Sequence, residues 1–565
     1  MRKQTAPIFV FILFAQLAQA QFTQTIRGKV LDAMSKSELP GVQVIVYNDS
    51  LKTGATQTDA NGYYRLQNVP IGRVHLTASF LGYQSVGFKV EVTSGKEIIL
   101  NVELEESAVK MEEVVVTASQ KGEVRNDMAM VSARTFSVEE TNRYAGSRSD
   151  PARMASNFAG VQGTDDSRND IVIRGNSPLG LLWRLEGIDI PNPNHFAIAG
   201  STGGPVNIIN NKTLENSDFF TGAFPAEYGN CNAGIFDLKM RNGNNEKHEF
   251  TGQFGFLGTE FSAEGPLSKS TGSSYLFSYR YSTLKLFEAL NIRIGTSAIP
   301  LYQDVAFKFN FPGKNGSSFS VFGTGGKSRI DIMVSTQTEP TEEIYGDKDR
   351  DQHFGTAMGV TGVTYTKSIN DKTFMKIVAA HSGSESHSHH LLVYRDTNFV
   401  LDSLVEKMGY RYIEQKTSLN FFINHKYTSK ASLKTGFFIS HYDFDMLDSN
   451  RNESTYQFVH RNSYKGNTAL LQPFVQFRIK PSDKLIFTAG VHAQYFHLNG
   501  SSSIEPRAGL KWNVQENQSL SVGIGMHSQM QPTYIYFSHV TDGNTNPIRH
   551  NKNLGFTRSL HHDLT

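Results

Sequence analysis

From residue 248 onward the side chains alternate in character with a period of two, over segments ten or more residues long. Ile504, Pro506, Ala508, Leu510, Trp512 and Val514 fall on one face, and Glu505, Arg507, Gly509, Lys511 and Asn513 on the other. Leu485, Phe487, Ala489, Val491, Ala493 and Tyr495 repeat the pattern against Thr488, Gly490, His492 and Gln494, as do Val305, Phe307, Phe309 and Phe311 against Asp304, Lys308 and Asn310. A slip of one residue would exchange the faces, so the pattern demands two fixed and opposite environments. Strands of this length, apolar outside and polar inside, match a tilted membrane-spanning β-barrel wall with a wet lumen. Mean hydropathy is −0.35 and no run of 18 apolar residues lies beyond the first twenty, which excludes a helical membrane protein. A net charge of +2 offers no basic field, so nucleic acid is not an expected partner. The single cysteine, Cys231, excludes an intramolecular disulfide framework and any multi-cysteine metal site.

The N-terminus predicts export. Arg2 and Lys3 precede an apolar stretch from Ala6 to Ala15, and Ala18-Gln19-Ala20 has the small-x-small form of a cleavage site. A signal peptide over 1–20 leaves Gln21 as the mature start, and Gln21 is not the cysteine that a lipoprotein anchor requires. Residues 21–106 then predict a small β-sandwich. Thr25–Val30 and Val42–Tyr47 alternate around Pro40-Gly41, Asp59-Ala60-Asn61-Gly62 separates two further strands, and Lys96–Leu104 closes the unit. Asp59-x-Asn61-Gly62 lacks the later acidic ligands of a calcium loop and fits a hairpin turn. The run TDANGYYRLQNVPIG, followed by Phe80-Leu81-Gly82-Tyr83, resembles the carboxypeptidase-regulatory-like domain found ahead of bacterial outer-membrane receptors. That resemblance implies no peptidase activity.

Residues 107–119 form a linker carrying Glu113-Val114-Val115-Val116-Thr117-Ala118, whose consecutive valines favour an extended backbone. An extended segment on a tether can add itself to another protein's sheet edge, and this one resembles a TonB box. Between 120 and 247, Ser149-Asp150-Pro151 starts a helix expected to run from Ala152 to Phe158. Asp170-Ile171-Val172-Ile173-Arg174-Gly175 is a strand ending at a glycine turn. IRGN, EGIDIPNPNHF (186–196) and GAFPAEYGN (222–230) together resemble the plug domain of Bacteroidetes-type TonB-dependent receptors.

The resemblance implies a mainly β chain: a small N-terminal β-sandwich, an αβ plug domain, and over 248–565 the N-terminal part of a transmembrane antiparallel β-barrel. About 22 strands are expected in a full barrel of this kind and about 12 are expected here. A plug of about 130 residues has an outer radius of roughly 18 Å. Twelve tilted strands would close at only about 12 Å, and twenty-two at about 22 Å. Asn551–Thr565 resembles a mid-barrel stretch, so the expectation is a chain truncated at its C-terminus. The implied activity is import across the outer membrane, driven by the inner-membrane proton gradient through TonB. The implied partners are TonB, outer-membrane lipid, an unidentified extracellular ligand and, as a further candidate, a surface lipoprotein. The plug apices would supply the ligand contacts: Asn176, Ser177 and Pro178 after the first strand, and Asn192, Asn194, His195 and Phe196 after the second. A surface adhesin or structural barrel without transport, and a nonfunctional fragment, are the competing readings.

Nothing in the sequence points to an enzyme or a resident cofactor. Gly325-Gly326-Lys327-Ser328 imitates the end of a phosphate-binding loop, but Val321 stands where its first glycine belongs. No H-E-x-x-H or G-x-S-x-G motif is present. His381, His387, His389 and His390 are spaced such that His387 and His389 share one face of a strand, and a solvated strand end explains them without a metal. The acidic loop Glu339-Pro340-Thr341-Glu342-Glu343 names no ligand.

Overall fold

The computed structural model describes residues 23–48, 51–107, 126, 128–136, 138–144, 146–255, 258–283, 300–314, 316–340, 347–452, 454–515, 518–541, 547–548 and 551–565. The predicted signal peptide, the Glu113–Ala118 segment and residues 341–343 of the acidic loop lie outside the described residues. The chain divides into two units, residues 1–121 and 122–565. Among the described residues no helix is long and apolar enough to cross a membrane, which says nothing about crossing by strands.

The first unit is built from two small sheets. Strand Thr23–Asp32 pairs with Tyr63–Pro70 on one side and with Ile98–Ile99 and Val102–Leu104 on the other, while Leu51–Gln57, Gln43–Asn48, Gly72–Ser79 and Val86–Val92 form the second sheet. Val30, Val42, Val44, Leu66, Leu76 and Val102 fill the core between them. The expected closing strand Lys96–Leu104 is broken in the middle. Asn101 Oδ1 accepts from the Lys29 N–H at 3.1 Å, so a side chain replaces one rung of the backbone ladder. Leu100 O comes so close to Gly28 that a Cβ there would sit 1.9 Å from it, which only glycine permits. Asp59 Oδ1 accepts from the N–H groups of Asn61 and Tyr63 at 2.9 Å each, which makes this loop a hairpin turn with its carboxylate already spent.

The second unit contains a sheet of fourteen antiparallel strands, each pairing with its sequence neighbour from Glu249–Phe254 through to Gln518–Gln529 and then Thr557–Leu564. The sequence suggested about twelve. Short Glu249–Phe254, whose sequence EFTGQF alternates poorly, is one that pattern alone does not mark. Fourteen strands would close at about 14 Å, too narrow for a folded plug. In the structure the sheet is open, its first and last strands not paired with each other. Turns at 371–372, 429–430 and 483–484 are two residues each, whereas the opposite ends carry connections such as 452–457 and 530–556. That asymmetry is the one expected of periplasmic turns and extracellular loops.

Strand register fixes which residues meet which solvent. Phe421 faces Phe437, and Phe437 faces Pro473, on the outward side; Leu419, Ile439 and Leu471 form the next row. Above them Thr417 meets His441 and Gln415 meets Asp443, so the apolar band ends within one pair of residues. The phosphate-loop imitation lies inside strand Ser318–Ile332, with its backbone committed to the ladder. The histidine cluster is split: His390 turns inward to Ser388 Oγ at 2.9 Å, while His389 on the other face meets Glu406 at 2.9 Å. Among the described residues no group of three His, Cys, Asp or Glu is arranged to hold a metal ion. Phe437→Lys would place a charge in the middle of the apolar band and is expected to cost about 2–4 kcal/mol. Urea titration of the variant in lipid, followed by heat-dependent gel mobility, measures it.

Candidate functional site

Residues 126–247 form an αβ core whose five-stranded sheet runs in the order Ile188–Asp189, Leu181–Leu185, Gly234–Leu238, Ser217–Phe220, Ala133–Phe136. Leu181–Leu185 and Gly234–Leu238 are parallel and almost wholly buried, and Trp183 and Phe219 stack on Phe236 at 4.4 and 4.5 Å. Asp150 caps the helix Pro151–Ala155 by accepting from Ala152 N at 2.8 Å. The helix stops three residues short of Phe158. Ser156 Oγ and Asn157 Nδ2 donate to the carbonyl of Arg153, which ends the regular ladder.

The two expected apices behave differently. Arg174 and Gly175 take positive φ of 50° and 79°, and this turn leaves Asn176 and Ser177 exposed. Ser177 Oγ accepts from Leu179 N at 3.3 Å and starts the single turn Pro178–Gly180, with Pro178 half-buried. In the second apex Asn192 donates to Ser201 O and Gly203 O at 3.1 Å and accepts from Asn194. Asn194, His195 and Phe196 are buried. His195 Nε2 meets Asp304 at 2.9 Å, Arg280 donates to the same carboxylate at 2.7 Å, and Phe196 N donates to Ser328 Oγ at 2.9 Å. Burial holds the His195 imidazole below its usual value despite the Asp304 carboxylate. A neutral ring then donates from Nε2, and Nδ1 has no hydrogen-bond partner among the described residues. His195 and Phe196 therefore fasten the apex to the wall, Asn194 ties it internally to Asn169 and Asn192, and the exposed rim of this loop is Ile198, Ala199 and Gly200.

A second set of contacts seats the other side of the domain. Arg507 donates to the carbonyls of Pro225 and Tyr228, both at 2.6 Å, while Glu505 takes its other nitrogen at 2.6 Å. Gln476 accepts from Ala226 N at 2.6 Å, and His492 Nδ1 donates to Ala226 O at 2.8 Å. Lys434 donates to Glu227 at 2.5 Å, and Lys308 to Glu186 at 3.0 Å. The hydrogen-bonded wall residues come from strands spread from Thr259–Ser268, where Glu264 takes Arg241, to Thr557–Leu564, where His561 takes Ala223 N.

Above the rim, segment 530–538 folds inward. Phe537 stacks on Tyr464 at 3.6 Å, Tyr534 on Tyr412 at 6.0 Å, and a Cβ at Gly200 would lie 3.1 Å from the Tyr534 hydroxyl. A domain seated on a wide antiparallel sheet through buried charges, with aromatic rings over its exposed apices, is the geometry of a plugged barrel.

Comparison with known proteins agrees. Residues 297–559 match the family described as TonB dependent receptor-like, beta-barrel, and residues 26–116 match the CarboxypepD_reg-like domain. Over residues 297–559 the chain is thus similar to the β-barrel of TonB-dependent receptors. No curated relative matches it. Among solved structures it is similar to the siderophore receptor PirA from Acinetobacter baumannii at 13% identity, TM-score 0.53, over 77% of this chain and 68% of that one. It is similar to the ferric enterobactin receptor PfeA from Pseudomonas aeruginosa at 13% identity, TM-score 0.54, with the same coverage. The outer membrane transporter YddB from Escherichia coli matches at 12% identity, TM-score 0.51, over 72% of this chain and 62% of that one.

The wall residues were visible in the sequence only as a polar face. Lys308, His492, Glu505 and Arg507 stood in the inward register, but nothing local named their partners, because Glu186 lies 122 residues from Lys308 and Glu227 lies 207 from Lys434. The aromatic segment 530–538 carried no signal beyond composition. In both plug carboxylates burial alone would raise the pKa; Lys308 and Lys376 outweigh it at Glu186, and Lys434 and Arg184 at Glu227, so both sit below their usual value of 4.5. A depressed carboxyl stabilises above its unfolded value and loses that contribution as pH falls through the folded one. Hydrogen exchange at Ala226–Tyr228, corrected for intrinsic rate, should therefore keep its protection above about pH 4.5 and lose it progressively as the pH is lowered below that value. Lys308→Ala leaves Glu186 charged and buried, at an expected cost of about 3–5 kcal/mol. Adding Glu186→Gln should recover most of that loss in the same exchange measurement.

Proposed function

We propose that this receptor imports a small extracellular ligand across the outer membrane, with energy delivered by TonB to the Glu113–Ala118 segment. The observation that carries the reading is a folded domain held on the polar face of a long-stranded sheet by ion pairs that can be broken and remade. A permanent filler would be more cheaply secured by apolar contact, since buried pairs recover little of their desolvation cost. A Val-rich segment just ahead of that domain, of a composition that favours strand addition, suits a handle: strand addition tolerates sequence variation and bears load along the backbone.

Ligand contact is assigned to the exposed parts of the apices, Asn176, Ser177 and the rim 198–200, together with Tyr412, Tyr464 and Tyr534. Asn194, His195 and Phe196 orient the apex from beneath. Two of the similar structures are named for iron-chelate receptors and another as a copper transporter, OprC, so a ferric chelate is the first cargo to test. Val115→Pro removes a backbone donor and fixes φ. Uptake of a radiolabelled ferric catecholate should fall at least about tenfold while binding to the cell surface is unchanged, because only strand addition is lost. Energy-dependent uptake at the parent rate would remove the TonB reading. Asn176→Ala with Ser177→Ala should instead weaken surface binding by about tenfold, roughly 1.4 kcal/mol.

A further inference from the structure

We propose that Asn126 is the positioning residue through which tension on the N-terminal tether unseats the plug, acting on the Glu227–Lys434 pair; this rests on the TonB-coupled reading above. Asn126 is the first described residue of the second unit and lies eight positions after Ala118, the end of the box-like segment. A pull on that segment reaches it before any other contact of the plug described here.

What Asn126 holds is the seat itself. Its Nδ2 donates to Glu227 Oε1 at 2.8 Å and to the Tyr228 hydroxyl at 3.1 Å, so both amide hydrogens are used on consecutive residues. Glu227 is the carboxylate that takes Lys434 from the wall and lies 4.0 Å from Arg184 in the plug sheet. The Tyr228 hydroxyl in turn donates to Asp237 at 2.7 Å, on a central strand of that sheet. The backbone repeats the connection. Gln476 of the wall accepts from Ala226 N at 2.6 Å and donates to Met128 O at 3.2 Å, one amide bridging the tether side and the seat.

The order of events follows from where load is carried. Asn126 N donates to Asp218, which also takes the Thr135 hydroxyl, and Thr135 belongs to the edge strand Ala133–Phe136. An edge strand peels rung by rung, whereas the parallel pair Leu181–Leu185 and Gly234–Leu238 lies inside the sheet and must shear as a block. Withdrawal of Asn126 and Met128 thus removes hydrogen bonds from Glu227, Tyr228 and Gln476 before the plug core is loaded. A buried carboxylate that loses a donor holds its charge less well, and the wall pair opens at reduced cost. Local opening of the seat then precedes any unfolding of the core.

Cys231 reports this event. It is the only cysteine in the sequence, is 1% exposed, and packs with Phe220, Phe224 and Tyr228 behind the seat. Burial pushes its thiol up, so it stays unreactive until the seat opens. In cells producing the receptor with its TonB, maleimide labelling of Cys231 should run at least about fivefold faster than after protonophore treatment. Asn126→Ala should bring the energised rate to within about twofold of the de-energised one, and Asn126→Gln, which keeps the amide, should restore most of the difference. A wild-type energised increment in Asn126→Ala overturns the relay and leaves TonB coupling standing. Equal acceleration in both energy states makes Asn126 a static pin and also overturns it. No increment in the wild type overturns the coupled reading, and the relay with it.

Discussion

Everything in the second unit depends on a sheet whose two faces cannot share a solvent. The outward rows through Phe421, Phe437 and Pro473 are unfavourable in water, and the inward rows carrying Lys308, Lys434 and Arg507 are unfavourable in hydrocarbon. Because the pleat alternates strictly, one choice of register commits every strand. The domain on the inner face is then obliged to answer a polar wall with polar groups.

That obligation explains how the plug is held. Its own core is conventional, with Trp183, Phe219 and Phe236 in one stack. Its outer shell is a set of backbone carbonyls, a backbone N–H and carboxylates met by Arg507, His492, Gln476 and Lys434. Such contacts specify position more than they add stability, since each repays a desolvation cost of similar size. The arrangement is tight in orientation and modest in energy, which is the combination a removable domain requires.

The extent to which this was legible in the sequence follows the distance over which each signal acts. Alternation, the Asp150 cap and the Arg174-Gly175 turn are local, and each was readable from a handful of residues. The strand broken at Asn101 and the helix ending at Ala155 were misjudged because a single side chain displaced a backbone bond. The apex NPNHF had the composition of a ligand loop, yet His195 and Phe196 face Asp304 and Ser328, over a hundred residues away. No spacing rule encodes that choice. It is made by contacts with the wall.

The strands themselves carry a last consequence. Leu401–Thr428 has 28 residues, a length of about 90 Å along the strand and about 70 Å along a tilted axis. The apolar band of such a wall is only about 25 Å tall. The remainder stands clear of the lipid as a stiff chimney, roofed with rings such as Tyr464 and Phe537. Whatever approaches from that side meets ordered backbone well before it meets the bilayer, and little conformational freedom is left to freeze in that part of the wall.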